Sequence, residues 1–221
     1  MKEIILSSLI FFLLSTVCLP PSIGMPVEDL RVVTNEQYFR FVKASGYKPK
    51  DSTGFLRHWV NGRPRRGEER HPVVFVSLED SRAYARWSGK RLPTEVEWQY
   101  AAQGGDGRKY PWGDQFDSTR CNSSLGHTTA VDEFPSGKSP FDVMDLVGNV
   151  WQHTNDVYDN GSYFFGMIRG GSYYNPRGSV WYVQGGPQPV DNPQILLMVS
   201  SALDRNATVG FRCVKDATPG K

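Results

Sequence analysis

The stretch from Gly105 to Val147 constrains the fold more than any other part of this chain, because its apolar residues follow no helical or strand period. It is polar and rich in turn-forming residues, and compact domains rarely contain so long an irregular segment unless something fixes it in place. Glycine (22) and proline (15) are scattered over the 221 residues. We therefore expect one domain in which loops outweigh regular elements, fixed by a metal ion or by a tryptophan-anchored core.

Three helices are nevertheless predicted, over residues 34–46, 77–89 and 94–104. Each opens with a Ser or Thr cap and stops at glycine, and in the first and third a Gln or Glu three residues later completes a capping box. The side chains expected to face the core are Tyr38, Phe41, Val42, Ala83, Tyr84, Trp87, Trp98, Ala101 and Ala102.

Short apolar segments predict the extended parts of the fold. Residues 71–76 lead into the second helix and are expected to form a buried strand or extended run. Residues 167–169, 180–183 and 210–214 are separated by glycines and are predicted as short strands.

The first 24 residues have the pattern of a signal peptide. Lys2 precedes an apolar run from Ile4 to Leu19, and small residues lie three and one positions before a cleavage site after Gly24. The run is short for a membrane-spanning helix, which needs about 20 residues. We expect export to a secreted or periplasmic location and a mature chain beginning at Met25. An uncleaved anchor and a lipidated Cys18 are the alternatives.

Charge and cysteine content limit the partners without identifying one. The chain has 25 basic and 23 acidic side chains, so its net charge of +2 predicts no nucleic acid and no membrane contact beyond the signal peptide. We expect a monomer. Beyond the signal peptide only Cys121 and Cys213 remain, and they form either one disulfide or two free thiols, as geometry decides.

Five motifs resemble, in order and spacing, those of the formylglycine-generating-enzyme (sulfatase-modifying-factor) family: RLPTEVEWQYAAQGG, YPWGD, DLVGNVWQHTND, IRGGSYY and VGFRCVKD. The resemblance runs from about Val33 to Asp216. It implies a loop-rich, C-type-lectin-like α+β fold in a single domain over residues 25–216, followed by a tail over 217–221. The family's usual first strand has no counterpart here, because the signal segment stands in its place.

The resemblance also implies a choice of activities. Family members oxidise a substrate cysteine, form sulfoxides, modify siderophore precursors, or serve as binding scaffolds. Formylglycine-generating enzymes bind copper(I) through two thiols shortly after the RGGS turn, and thiolates suit that soft ion. Residues 173–182 of this chain contain no cysteine. The absence of these thiols argues against copper and against formylglycine generation.

Iron is the other redox metal of the wider family. The ergothioneine-type sulfoxide synthases that belong to it hold iron(II) with three histidines, two of them four residues apart on a helix. This chain has His58, His71, His127 and His153, with no such pair. Because distant histidines can converge, the leading hypothesis is a non-heme iron-dependent oxidoreductase with unknown substrate and unknown catalytic residues. The alternative is a non-catalytic ligand- or protein-binding module, with each histidine in a structural role.

The segment after the RGGS turn is predicted to bind the substrate. Aromatic rings around an arginine, in loops on a rigid scaffold, are typical of a recognition groove, and the resemblance places the family's substrate pocket here. We assign this role to Tyr174, Asn175, Arg177 and Trp181. The competing interpretation is that these rings anchor the core.

The resemblance further implies two structural calcium sites built from oxygen ligands, which suit this hard cation. One would use Asp145, the carbonyls of Gly148 and Val150, and Gln152. The other would use Asn122, the carbonyls of Ser123 and Phe134, and Asp132. Gln152 stands where the family commonly has glutamate. The competing interpretation is that these groups only form turns.

Overall fold

The structure is a computed structural model that describes residues 30–175, 185–198 and 205–216. Its helices are α1 (Asn35–Ser45), α2 (Leu78–Trp87) and α3 (Glu95–Gln103), and its strands are β1 (Trp151–Asp159), β2 (Phe164–Arg169), β3 (Gln194–Leu197) and β4 (Val209–Phe211). The expected signal peptide, the tail and the predicted strand over 180–183 lie outside this description. No helix within the described residues is long and apolar enough to cross a bilayer.

All three predicted helix starts are confirmed, with a complete capping box at Thr34, Ser77 and Thr94. Each cap side chain accepts a hydrogen bond from the third helical amide, so each first turn is stabilised locally. Trp87, expected to be buried against the core, is 45% exposed. Its ring lies 5.5 and 5.9 Å from those of Phe41 and Tyr84, so it covers the edge of the core without being enclosed by it.

The four strands form one sheet in the order β3-β2-β1-β4. The hairpin of β1 and β2 is antiparallel, with a register shift between His153 and Val157, and β3 adds antiparallel to β2. Strand β4 pairs parallel with β1, so that Gln152 lies opposite Gly210 and His153 opposite Phe211. The sequence predicted parts of β2 and β4 but neither β1 nor β3.

Alternation along the strands directs side chains to opposite faces of this sheet. On one face, Phe211 packs against Tyr38 of α1 and Tyr84 of α2 at ring-centroid distances of 6.1 and 5.5 Å. On the other face, the side chain of Gln152 accepts a hydrogen bond from Trp98 of α3. The sheet therefore lies between α1 and α2 on one side and α3 on the other.

The long segment from Gly105 to Val147 is irregular, as predicted. Within it the backbone forms only two short 3₁₀ turns, at Ser118–Arg120 and Pro135–Gly137. It is tied to the sheet through Asn149, whose amide N–H donates to the carbonyl of Asn122 at 2.9 Å. A side chain at Gly148 would place Cβ 2.6 Å from that same carbonyl, so the contact requires glycine.

Candidate functional site

The RGGS turn leaves β2 in a conformation that only glycine can adopt. Gly170 and Gly171 have φ angles of 92° and 78°, and added Cβ atoms would lie 2.3 and 2.2 Å from the carbonyl oxygens of Leu146 and Gly186. Ser172 is buried, and its Oγ accepts from the amide of Tyr174 at 3.3 Å. The turn is therefore closely packed, and Ser172 forms part of it.

The residues assigned to substrate binding follow this turn. Tyr174 is 44% exposed and its carbonyl accepts from the amide of Gly186 at 2.8 Å. Asn175 is exposed beside Gly186. Both are thus at the surface, whereas Arg177 and Trp181 lie outside the residues described. Their role in binding stays a prediction.

The two cysteines of the domain are free thiols in separate parts of the core. Cys121 belongs to the cluster around Trp98 and Leu146, and Cys213 to the cluster around Tyr84. Burial raises the pKa of each thiol to about 12. Both thiols are therefore protonated at neutral pH, and a buried protonated thiol is a poor nucleophile and metal ligand.

Three of the four histidines make structural hydrogen bonds. The side chain of His58 bonds Asn35 at 2.9 Å, that of His71 bonds Thr128 at 3.0 Å, and that of His127 bonds the carbonyl of Thr128 at 2.9 Å. His153 is fully buried, and both ring nitrogens lack a hydrogen-bond partner. Across the described part of the chain, no three His, Cys, Asp or Glu side chains form a group that could hold a metal ion.

Residues of the first predicted calcium site already accept hydrogen bonds through their oxygen atoms. Gln152 Oε1 accepts from Trp98 Nε1 at 2.8 Å and from Arg212 Nε at 2.6 Å. Arg212 also donates to the carbonyl of Asp145 at 2.7 Å. A calcium ion at Gln152 would lie next to the buried, positively charged guanidinium of Arg212. The two cations would repel each other, so the Gln152 side chain does not fit as a calcium ligand.

The second predicted calcium site contacts the first through Asp132 and Asp145. The amide of Asp132 donates to Asp145 Oδ2 at 2.8 Å. Asp132 Oδ2 pairs with Arg31 at 2.8 Å, whereas its Oδ1 is buried without a donor among the described residues. Burial is the main cause that raises the pKa of Asp145 to about 6. These two carboxylates, one with an unpartnered buried oxygen, fit an oxygen-ligated cation.

The other oxygens of the second set take part in turns. Asn122 Oδ1 accepts from the amide of Leu125 at 3.3 Å, and the Phe134 carbonyl accepts from Gly137 at 2.9 Å. A cation would therefore compete with two turn hydrogen bonds at these positions. The cation-binding potential of this region is concentrated on the two aspartates.

A cleft of about 460 Å³, which the motifs did not predict, opens between α2 and the segment after α1. At its base Arg205 Nε donates to Asp80 Oδ2 at 2.7 Å, and both side chains are 1% exposed. Tyr47 donates to Asp80 Oδ1 at 2.8 Å. Burial and the nearby Asp80 raise the pKa of Tyr47, so the phenol keeps its proton. The rim carries Lys48, Lys50, Asp51, Glu79 and Arg86.

Comparison with known proteins gives a family match over nearly all of the described chain. Residues 29–217 match the sulfatase-modifying factor enzyme 1-like domain. The serine/threonine-protein kinase Pkn1 of Chlamydia trachomatis is 31% identical over an alignment of 211 positions that covers 85% of this chain and 33% of that protein. The inactive C-alpha-formylglycine-generating enzyme 2 of Bos taurus is 40% identical over an alignment of 116 positions that covers 46% of this chain and 38% of its own.

The fold is also found among solved structures. PvdO from Pseudomonas aeruginosa superposes with a TM-score of 0.63 at 22% identity, over 85% of this chain and 78% of its own. This similarity confirms the predicted fold. The chain spans about a third of the length of the chlamydial kinases that it matches.

Proposed function

Because this chain belongs to the sulfatase-modifying factor enzyme 1-like family, we propose that it is a non-catalytic, ligand- or protein-binding member of that family. The observation that carries the proposal is the placement of its thiols. Cys121 and Cys213 are 4% and 2% exposed, unpaired, and packed in different core clusters. An oxidase that relies on thiols needs them accessible and ionisable.

Two further observations support a binding role. Among the residues described, the histidines form no group that could hold iron, and three of the four make structural hydrogen bonds. The signal-peptide pattern of residues 1–24 supports binding outside the cytoplasm.

Oxygen consumption tests this proposal. We expect protein beginning at Met25, supplied with copper(I) or iron(II), to consume no more oxygen than metal alone when given small thiols or a cysteine-containing peptide. Repeated turnover would show that the chain is an oxidase. If turnover disappeared when both cysteines were changed to serine, thiol chemistry would be responsible. If it persisted in that variant with iron alone, the iron-dependent oxidoreductase would replace the binding module.

We propose that Asp132 and Asp145 bind a structural calcium ion. This ion would fix the irregular segment between α3 and β1 in place. The adjacency of the two aspartates and the unpartnered Asp132 Oδ1 support this assignment. A cation would also offset the cost of ionising buried Asp145, whose pKa lies near 6. Below that pH the proton competes with calcium, so calcium should stabilise the fold more at pH 7.5 than at pH 5.

At pH 7.5, calcium at about 100 times its Kd is expected to stabilise the fold by about 2.7 kcal/mol. For a domain of this size that raises Tm by roughly 5–10 °C. Asp132→Asn should remove most of the rise, and Asp106→Asn, which changes an exposed surface carboxylate, should not. A Tm that is the same in excess calcium and in chelator would contradict the assignment and leave the aspartates as turn formers.

A further inference from the structure

Positive charge is concentrated in one segment of this nearly neutral chain. Residues 40–70 contain nine Lys and Arg against three Asp and Glu, whereas the remainder contains 16 and 20. The segment therefore carries a net charge of +6 and the remainder −4. The nine cations are Arg40, Lys43, Lys48, Lys50, Arg57, Arg63, Arg65, Arg66 and Arg70, and we refer to these side chains together as the cationic face.

The side chains of the cationic face are exposed and almost without counter-charges. All nine are at the surface. Of these nine cations, only Arg40 forms an ion pair with another described residue, Glu36, one turn earlier on α1. Surface cations elsewhere on the molecule do pair, as Lys138 does with Asp142. Unpaired like charges raise the local potential and attract an anionic partner.

The aromatic ring of Phe39 contacts two of these cations. Lys43 Nζ and Arg63 Cζ each lie 5.7 Å from the centroid of the Phe39 ring. The ring is fixed in turn by Trp59 at 5.9 Å, whose Nε1 donates to Asn35 at 2.9 Å. The Phe39 ring therefore brings two like charges into one region of the surface, where they attract an anion.

The cationic face continues into the cleft, where Lys48 and Lys50 line the rim together with Arg86. The rim also carries the carboxylates of Asp51 and Glu79. These would repel a phosphate backbone, but they can accept hydrogen bonds from the N–H groups of a polypeptide. A cleft of about 460 Å³ also lies in the size range of sites that enclose a side chain or small ligand.

We propose that the cationic face binds an acidic polypeptide segment, with its carboxylates on the cations outside the cleft and its backbone N–H groups at Asp51 and Glu79 of the rim. This inference rests on the proposed function and specifies the class of partner. Arginines predominate on the face, and their planar guanidinium groups suit bidentate contact with carboxylates. The binding would be largely electrostatic, so it should weaken as salt is added.

Fluorescence anisotropy with a labelled glutamate-rich peptide tests the proposal. The protein beginning at Met25 should bind the peptide at low salt. The double variant Arg63→Glu/Arg65→Glu should bind about tenfold more weakly. The matched control Lys109→Glu/Lys138→Glu makes the same change in net charge at exposed positions outside the face, and it should stay within about threefold of the unchanged protein.

Several results would overturn the proposal. They are no binding to the peptide, equal weakening by the two double variants, or tighter binding to a single-stranded oligonucleotide of equal charge. Circular dichroism and Tm must show that the variants are folded, and Lys48→Glu/Lys50→Glu provides a second test on the same face. Failure of this test would leave the oxygen-consumption result unchanged, so the two proposals fail separately.

Discussion

Asp80→Ala is expected to lower the free energy of unfolding by about 3–5 kcal/mol. The Asp80 carboxylate is 1% exposed and accepts from Arg205 Nε at 2.7 Å, from Tyr47 at 2.8 Å and from the Ser77 amide at 2.8 Å. Alanine would leave the Arg205 guanidinium buried without a counter-charge and would also remove the capping-box partner of α2. Urea unfolding at neutral pH measures the loss.

The matched control for this variant is a surface ion pair. Asp142 pairs with Lys138, and their side chains are 62% and 55% exposed. Asp142→Asn should cost less than about 1 kcal/mol, because exposed pairs contribute little and asparagine tolerates the left-handed backbone of this residue (φ 59°). If Asp80→Ala cost no more than this control, the ion pair at the base of the cleft would be open to solvent, contrary to the structure.

His153→Leu is expected to make the free energy of unfolding less sensitive to acid, with a full effect of about 3 kcal/mol. Burial lowers the pKa of His153 from 6.5 to about 4. The unfolded chain therefore takes up this proton below about pH 6.5, whereas the folded chain does so only near pH 4. Stability that is complete above pH 6.5 is lost as the pH falls through this window, at about 1.36 kcal/mol for each pH unit.

Comparing variants isolates this contribution, because Asp145 has a raised pKa near 6 and shifts stability in the opposite direction in both proteins. Unfolding free energies at pH 7 and pH 4.5 should differ by about 2.4 kcal/mol more in the unchanged protein than in His153→Leu. His127→Leu changes an exposed ring and should leave the difference unaltered. Equal pH dependence in the two variants would show that His153 is solvated.

The parts of the fold that sequence reasoning predicted correctly depend on local contacts. The capping boxes at Thr34 and Thr94 join residues three apart, so the sequence shows both partners at once. The glycines of the RGGS turn are similarly evident. Trp87 was expected to be buried because it lies at the helical spacing of the core positions. It lies instead at the edge of the core, where its ring stays partly exposed.

Long-range contacts could not be predicted in the same way. Asp80 and Arg205 are 125 residues apart, and no motif joins them. Strand β1 does not alternate between apolar and polar residues. Gln152, His153 and Thr154 are all buried, and their polar character hides the strand until its neighbours are known. The excess of cations in residues 40–70 was missed because the prediction from charge used only the net charge of the whole chain.

Thiol reactivity tests most directly the central claim that this family member does not use cysteine chemistry. The protein beginning at Met25 is mixed with an excess of a coloured thiol reagent, first folded and then in denaturant. Because Cys121 and Cys213 are buried with pKa values of about 12, we predict no rapid reaction in the folded protein and two thiols per chain after unfolding. Rapid reaction of either cysteine in the folded protein, especially one that copper(I) prevents, would contradict the claim.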